Sequence, residues 1–472
     1  MNKNKYKDLA KNTGIFAIAN FSSKVLIFLL VPLYTRTLST SDYGFYDLAY
    51  STIQLFLPIL TLNISEATMR FLMKSDIDRD SVFSISLSNV IIASIIFGLG
   101  IVVNDIFSIS TLTEQYGVYI WGLFVFYALN NLFVQFSKGI DKVQEMAISG
   151  VLGTLSMVFF NVLFLLVFKL GLFGFFVANI TCYAIPTFYL IIKLQFWKYL
   201  SKKYDKELQK QMLIFSVPLI LNTLGWWVNN TSDRYIVAAI SGINSNGLIS
   251  VAYKIPQILS TVSAIFIQAW QISAIKEQEN DSKDSSFSSN LFLHYNALLS
   301  VMASFLILFD KFLSSILFGN DFYQAWRFVP FLVISSLLNA AAGYVGAILS
   351  ANMAANTMAK SALYGMSVNI VLNIILTLFM GPQGITIATV ISSYIIYEVR
   401  RKSIKIIESE VQKRVLLSWI FLVLESILII YTNLWWLSLI TVFIILNLFR
   451  QTFETLFIQG KKVLRKLKFN NE

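Results

Sequence analysis

Apolar runs about 20 residues long recur from one end of this chain to the other, and a helix of that length crosses a hydrocarbon core of ~30 Å. Fourteen such spans are read, at roughly 14–37, 43–65, 82–103, 116–137, 146–168, 171–193, 212–233, 247–271, 288–309, 328–350, 361–380, 383–399, 415–431 and 434–450. With 56% hydrophobic and only 13% charged residues, the chain carries more apolar surface than a water-soluble domain buries. Backbone groups in lipid must bond within their own segment, so the spans are expected to be helices. The expected fold is an all-α polytopic membrane protein with no soluble domain. The longest polar stretch, Lys198 to Lys210, reads as a loop. The first run is too long for a cleavable signal, and no small-residue cleavage site follows it.

Several chemistries are excluded. The one cysteine, Cys182, lies inside a run, so neither a disulfide framework nor a cysteine metal site is available. No phosphate-binding glycine loop, metal-ligand cluster or nucleophile–base constellation is present. The chain is therefore not expected to be an enzyme or an ATPase, and no cofactor or metal is expected. His294 is the lone histidine. It starts span 9 near the inner side, where a satisfied interfacial residue is the simpler reading than a proton carrier.

The basic residues test the span count, because cytoplasmic loops retain Lys and Arg. With the N-terminus inside, the N-terminal tail holds 4, the loops after even-numbered spans hold 3, 2, 6, 2, 1 and 6, and the C-terminal tail holds 6. Thirty of the 37 basic residues thus fall on one side. Arg36, Lys169, Arg234, Lys311 and Arg327 sit at outer ends; Lys24 and Lys254 lie within spans. Both termini are expected in the cytoplasm. The net charge of +11 follows from this topology and from attraction to anionic membrane lipids, so no nucleic acid partner is implied.

The chain also repeats itself. "GFYDLAYSTIQ" from Gly44 matches "GLISVAYKIPQ" from Gly247 at an offset of 203. "MAISGVLGTLSMVFFN" from Met146 matches "MAKSALYGMSVNIVLN" from Met358 at an offset of 212. Gly171-x-x-Gly174-x-x-x-Ala178 matches Gly381-x-x-Gly384-x-x-x-Ala388 at an offset of 210. Three matches in order imply a duplication of six spans. Six is even, so the two lobes are parallel, related about an axis along the membrane normal. The expected organisation is a first lobe over 1–198, a linker over 199–210, a second lobe over 211–405, and two appended spans with a basic tail over 406–472. Two parallel lobes around a cavity is an alternating-access transporter plan.

Polar side chains within spans should face the protein interior. Span 1 carries Thr13, Asn20 and Lys24 on one face. Span 2 carries Asp47, Tyr50, Gln54, Pro58, Thr61 and Ser65. Span 7 carries Asn222, Trp226, Asn229 and Asp233, and span 8 carries Ser250, Lys254, Gln257, Thr261 and Gln268. Most other spans show no continuous stripe, so spans 1, 2, 7 and 8 are nominated as the cavity wall. The competing reading is hydrogen bonding between helices. A charge at a helix centre costs about 2.5–3.5 kcal/mol on insertion scales, which makes Lys24 the sharpest candidate; its alternatives are a buried ion pair or a neutral lysine. Lys254 lies closer to an end, where snorkelling competes. Glu66 with Arg70, and Asp233 with Arg234, are spaced for local ion pairs. Pro58 and Pro256 are candidate hinges in two of the proposed walls.

These residues carry a family resemblance. "SKVLIFLLVPLYTRTLSTSDYGFYDLAY", "LNISEATMRFL" and "NNTSDRYIVAAISGINSNGLISVAYKIPQIL" resemble the openings of the two lobes in bacterial polysaccharide flippases of the Wzx type. These belong to the MOP exporter superfamily, with the lipid II flippases and MATE drug exporters. The resemblance implies two six-helix lobes forming a V-shaped, cationic central cavity, in the bacterial cytoplasmic membrane. It implies an undecaprenyl-pyrophosphate-linked glycan as the substrate, and a polysaccharide polymerase and glycosyltransferases as partners. Lys24, Glu66, Arg70, Asp233 and Arg234 match the family's recurring positions and are expected to line the substrate cavity. Lys24 and Lys254 would meet the pyrophosphate. Asn20, Gln54, Asn222, Trp226, Asn229 and Gln257 would suit a sugar surface, and Asp47 and Lys138 a gate or entry. The rivals are a MATE-type drug or cation antiporter, which would want more interior carboxylates than Asp47 and Asp233 supply, and a lipid II-type flippase.

Overall fold

The computed structural model describes residues 26–74, 77–108, 113, 115–201, 205–279, 285–404, 406–432 and 436–454, without the side chains of 226, 229, 230, 269, 272, 273, 275–279, 285 and 355. Lys24 and Asn20 lie outside the described residues, as do the side chains of Trp226 and Asn229. Two compact units result, Met1–Ser232 and Asp233–Glu472.

All regular structure among the described residues is helical. In the first unit α1 is Leu26–Thr37, α2 Thr40–Leu60, α3 Ile64–Leu72, α4 Arg79–Phe107, α5 Gly117–Gly139, α6 Val143–Asn161 and α7 Gly171–Leu194. Helix α8, Lys206–Ser241, contains the division between the units. The second unit continues with α9 Ile243–Ala252, α10 Pro256–Glu279, α11 Ser285–Leu308, α12 Asp310–Leu317, α13 Val329–Ala351, α14 Ala355–Met380, α15 Gln383–Ser403, α16 Ser409–Tyr431 and α17 Leu437–Leu448.

Among the described residues, spans 2 to 14 each fall on a helix or a bent helix pair, and the described part of span 1, residues 26–37, forms α1. Among the described residues, eight helices are long and apolar enough to cross a membrane unaided, and two bent pairs bring this to ten. The others are the short α1 and α17, and α8 and α15, whose polar residues dilute their hydropathy. Helix α13 is the core of its unit, with 83% of its apolar window covered by protein, against 22% for α4, α6 and α14. Those three present their Ile, Leu and Phe side chains outward, which is the arrangement lipid contact requires.

Three features depart from the expected pattern. Residues 310–327, expected as a loop, fold into α12 and a 3-10 segment, Asn320–Arg327. The linker is partly helical, since α8 begins at Lys206. Spans 2 and 8 are broken rather than continuous: α2 and α3 meet at 56°, and α9 and α10 at 46°.

Both breaks follow from local chemistry. Helix α9 ends at Ala252, the residue four before Pro256, whose carbonyl the proline ring would strike and whose bond the proline cannot donate. The α2–α3 break follows Pro58 and runs through Leu62 and Asn63, both left-handed at φ 53° and 51°. Asparagine tolerates that region, and the Asn63 amide donates to Thr223 Oγ1 at 3.2 Å. The start of α2 is fixed by a capping box, in which Ser39 Oγ accepts from Asp42 N (3.0 Å) and Asp42 accepts from Ser39 N (3.2 Å).

The matched sequence segments have matched structural roles. Gly171 and Gly381 both carry positive φ, 56° and 62°, where a Cβ would be strained. Three residues on, a Cβ at Gly174 would lie 2.9 Å from Phe164 Cβ, and one at Gly384 2.3 Å from the Leu376 carbonyl. Ser149 and Ser361 each donate to a carbonyl three residues back, Met146 and Met358, at 2.7 Å. Gly153 and Gly365 let α6 and α14 approach α7 and α15: a Cβ would meet Cys182 O at 2.9 Å or Ile396 Cγ1 at 2.2 Å. The breaks, in contrast, are not equivalent. Residue 53, which corresponds to Pro256, is isoleucine, and residue 261, which corresponds to Pro58, is threonine.

Candidate functional site

In the first unit the polar stripe of α2 is buried. Asp47 is 8% exposed, Thr61 and the neighbouring Ser65 on α3 are each 4% exposed, and Gln54 is half-buried. The Tyr50 hydroxyl meets that of Tyr183 on α7 at 3.0 Å. Below the bend, Glu66 Oε1 accepts from Gln135 Nε2 of α5 at 2.7 Å. Arg70, one turn on, is exposed, and among the described residues it has no carboxylate within 4 Å. The spacing of Glu66 and Arg70 therefore does not produce an ion pair: the carboxylate turns to a buried amide and the guanidinium turns outward.

Gln135 is a residue the stripe argument passed over. Asn131, Gln135 and Lys138 stand at i, i+4 and i+7 on α5, a polar face that span 4 does carry. Lys138 is half-buried at the end of that face. It lines a half-open cavity of about 440 Å³ between α5, α6 and α7.

The first part of α8 packs into the same unit. Phe215 stands edge-on to Phe71 with ring centroids 6.4 Å apart, and Trp227 Nε1 donates to Ser51 O at 2.9 Å. Trp227 thus ties α8 to α2. Asn222 is exposed.

In the second unit, Asp233 is 6% exposed, and its Oδ2 accepts from the Tyr253 hydroxyl at 2.6 Å. Tyr253 is the counterpart of Tyr50 in the repeat, so each unit spends the hydroxyl of its Ala-Tyr pair on an interior bond. Arg234 is half-buried. Lys254 lies in the break between α9 and α10, half-buried, with no carboxylate within 4 Å among the described residues. The break frees backbone carbonyls beside it. Pro256 is the first residue of α10, Gln257 is exposed, and Thr261 Oγ1 donates to the Gln257 carbonyl at 2.8 Å.

One of the loop charges is a half-buried cation. Arg400 on α15 donates Nε to Ser361 Oγ and an Nη to Ala342 O, both at 3.0 Å. Gly346 makes room for it, since a Cβ there would lie 2.8 Å from Arg400. Its neighbour Arg401 pairs with Glu398 at 2.6 Å.

Chemically, the described site residues are hydrogen-bonding amides and hydroxyls, the carboxylates Asp47, Glu66 and Asp233, and cations, of which Arg70, Lys138 and Lys254 have no carboxylate within 4 Å among the described residues. Among the described residues no group of three or more His, Cys, Asp or Glu side chains is placed to hold a metal ion.

A family model described as polysaccharide biosynthesis protein matches residues 9–271. No curated protein matches by sequence. Among solved structures, the lipid II flippase MurJ in an inward closed conformation aligns with a TM-score of 0.67 at 16% identity, covering 94% of this chain and 99% of that one. A multidrug resistance MATE family transporter of the MOP superfamily, inward-facing, aligns at 0.66 and 13% identity, covering 84% and 99%. A MOP superfamily transporter from Pyrococcus furiosus aligns at 0.51 and 12%, covering 83% and 92%. At these identities the likeness is one of fold. The chain belongs to the polysaccharide biosynthesis protein family, and it is a multi-pass membrane protein with the fold of MOP superfamily flippases and transporters.

Proposed function

We propose that the protein is a flippase that turns an undecaprenyl-pyrophosphate-linked oligosaccharide from the inner to the outer leaflet for surface polysaccharide synthesis. The observation that carries the reading is the family match over residues 9–271, joined to a fold shared with a lipid II flippase. A pyrophosphate moving through a low-dielectric region needs cations to offset its lost hydration. Arg70 and Lys254, with no carboxylate within 4 Å among the described residues, are suited to that, and Lys24 joins them on sequence grounds. Gln54, Asn222 and Gln257, with Asn20, Trp226 and Asn229, would meet the sugars. Asp47 would serve at the gate. Asp233 and Arg234, with Glu66, would fix the geometry around these cations. Movement would be alternating access in the bacterial cytoplasmic membrane, with both termini inside and with bending at Pro58 and Pro256. A polymerase and glycosyltransferases would supply and consume the cargo.

The MATE-type antiporter is the second reading, favoured by the similar fold score and by buried Asp47 and Asp233. Gene deletion separates the two. The flippase reading expects carrier-linked oligosaccharide to accumulate on the inner leaflet and surface polysaccharide to disappear. Unchanged polysaccharide with raised drug sensitivity would favour the antiporter.

A further inference from the structure

The half-open cavity between α5, α6 and α7 is lined only by residues of the first unit. Its volume is about 440 Å³. Its polar lining is largely spent on the protein itself: Asn130 donates to Thr187 at 3.3 Å, Thr154 to Gly150 O at 3.1 Å, and Tyr183 pairs with Tyr50. Glu145, on the adjoining turn of α6, accepts a hydrogen bond from Tyr189. The ammonium of Lys138 has no hydrogen bond and no carboxylate within 4 Å among the described residues. The remaining wall is apolar or small, with Val134, Met146, Val151 and Pro186, and with Gly150 open to the space: a Cβ there meets nothing within 4 Å. One uncompensated cation at the end of an apolar pocket between membrane-spanning helices selects an amphiphile with one anionic group. The charge sorting places Lys138 at the inner face.

We propose that this cavity is a binding site for an inner-leaflet lipid whose phosphate sits on Lys138 and whose apolar body fills the space beside Gly150. Phosphatidylglycerol of the bilayer and the undecaprenyl-pyrophosphate carrier share this chemistry. The bilayer-lipid arm stands apart from the transport reading, whereas the carrier arm rests on it.

Native mass spectrometry of the purified full chain in neutral detergent tests it, with phosphatidylglycerol, phosphatidylcholine and undecaprenyl pyrophosphate added separately. Three variants are compared: Lys138→Ala, Lys138→Arg, and Gly150→Leu, which plugs the space while keeping the charge. The expected result is one retained anionic lipid, lost at least about tenfold in Lys138→Ala and Gly150→Leu and kept in Lys138→Arg, with phosphatidylcholine not retained. If only phosphatidylglycerol behaves so, the occupant is a bilayer lipid; if only the carrier does, it is the carrier. If neither lipid's retention depends on Lys138 and Gly150, or if phosphatidylcholine is held equally, the proposal is overturned.

Discussion

Gln135 donates its side-chain amide to Glu66 Oε1 across 2.7 Å, tying α5 to α3 just beyond the bend in the second span. Gln135 is 8% exposed, so the bond is sheltered from water. Gln135→Ala would leave Glu66 with a lost donor, at a cost of about 1–3 kcal/mol. Thermal unfolding in detergent should shift downward. Arg70→Ala, at an exposed position, should leave the unfolding temperature where it is and lower flipping about tenfold or more. If Arg70→Ala is fully active, the substrate does not use that cation.

The two bends have different sequence causes. Pro256→Ala restores an N–H and removes the ring from the carbonyl of Ala252, so α9 and α10 should tend to run on as one helix. Pro58→Ala should stiffen the end of α2 in the same way. Each is expected to slow flipping several-fold with insertion unchanged. Unchanged transport in both variants would remove bending at these prolines from the mechanism.

Close approach at the repeated glycines sets a stability prediction. A methyl group at Gly384 meets the Leu376 carbonyl at 2.3 Å, and one at Gly174 meets Phe164 at 2.9 Å. Overpacking of this kind costs about 1–3 kcal/mol, so both alanine variants should melt earlier. Gly100→Ala on α4, where the added carbon meets nothing within 4 Å, is the control and should be neutral or slightly stabilising.

Glu425 on α16 is wholly buried, with Ser304 of α11 donating to it at 2.7 Å. Among the described residues no cation lies within 4 Å. Glu425→Gln preserves shape and acceptor and should cost less than about 1 kcal/mol, whereas Glu425→Ala leaves a cavity and an unmatched Ser304, costing about 2–4 kcal/mol. Equal destabilisation by both variants would mean that the carboxylate charge itself is required.

Much of this architecture was legible from residue spacing alone. Run length locates the spans, and the glycine and Met-Ala repeats mark the positions where helices touch, because Gly153, Gly174, Gly365 and Gly384 each admit a neighbour that a side chain would exclude. The bends were less legible. Proline signals one, but the break after Leu60 depends on left-handed Leu62 and Asn63, and nothing in Leu62 advertises that conformation. Side-chain partners were the least legible. Glu66 faces Arg70 by helical spacing, yet it bonds to Gln135, 69 residues away in sequence. Arg400 counted as one more cytoplasmic charge, although it lies against α13 and α14. Such pairings arise from packing between helices, which periodicity within one helix does not encode.

The central claim is tested most directly by reconstituting the chain in proteoliposomes with undecaprenyl-pyrophosphate-linked oligosaccharide and following how much glycan becomes accessible on the opposite leaflet. Wild type should flip the lipid. Lys254→Ala and Lys24→Ala should lose about tenfold or more, and Lys24→Arg should retain part of the activity. Wild-type vesicles that leave the glycan on its original leaflet, or alanine variants as active as wild type, would contradict the account.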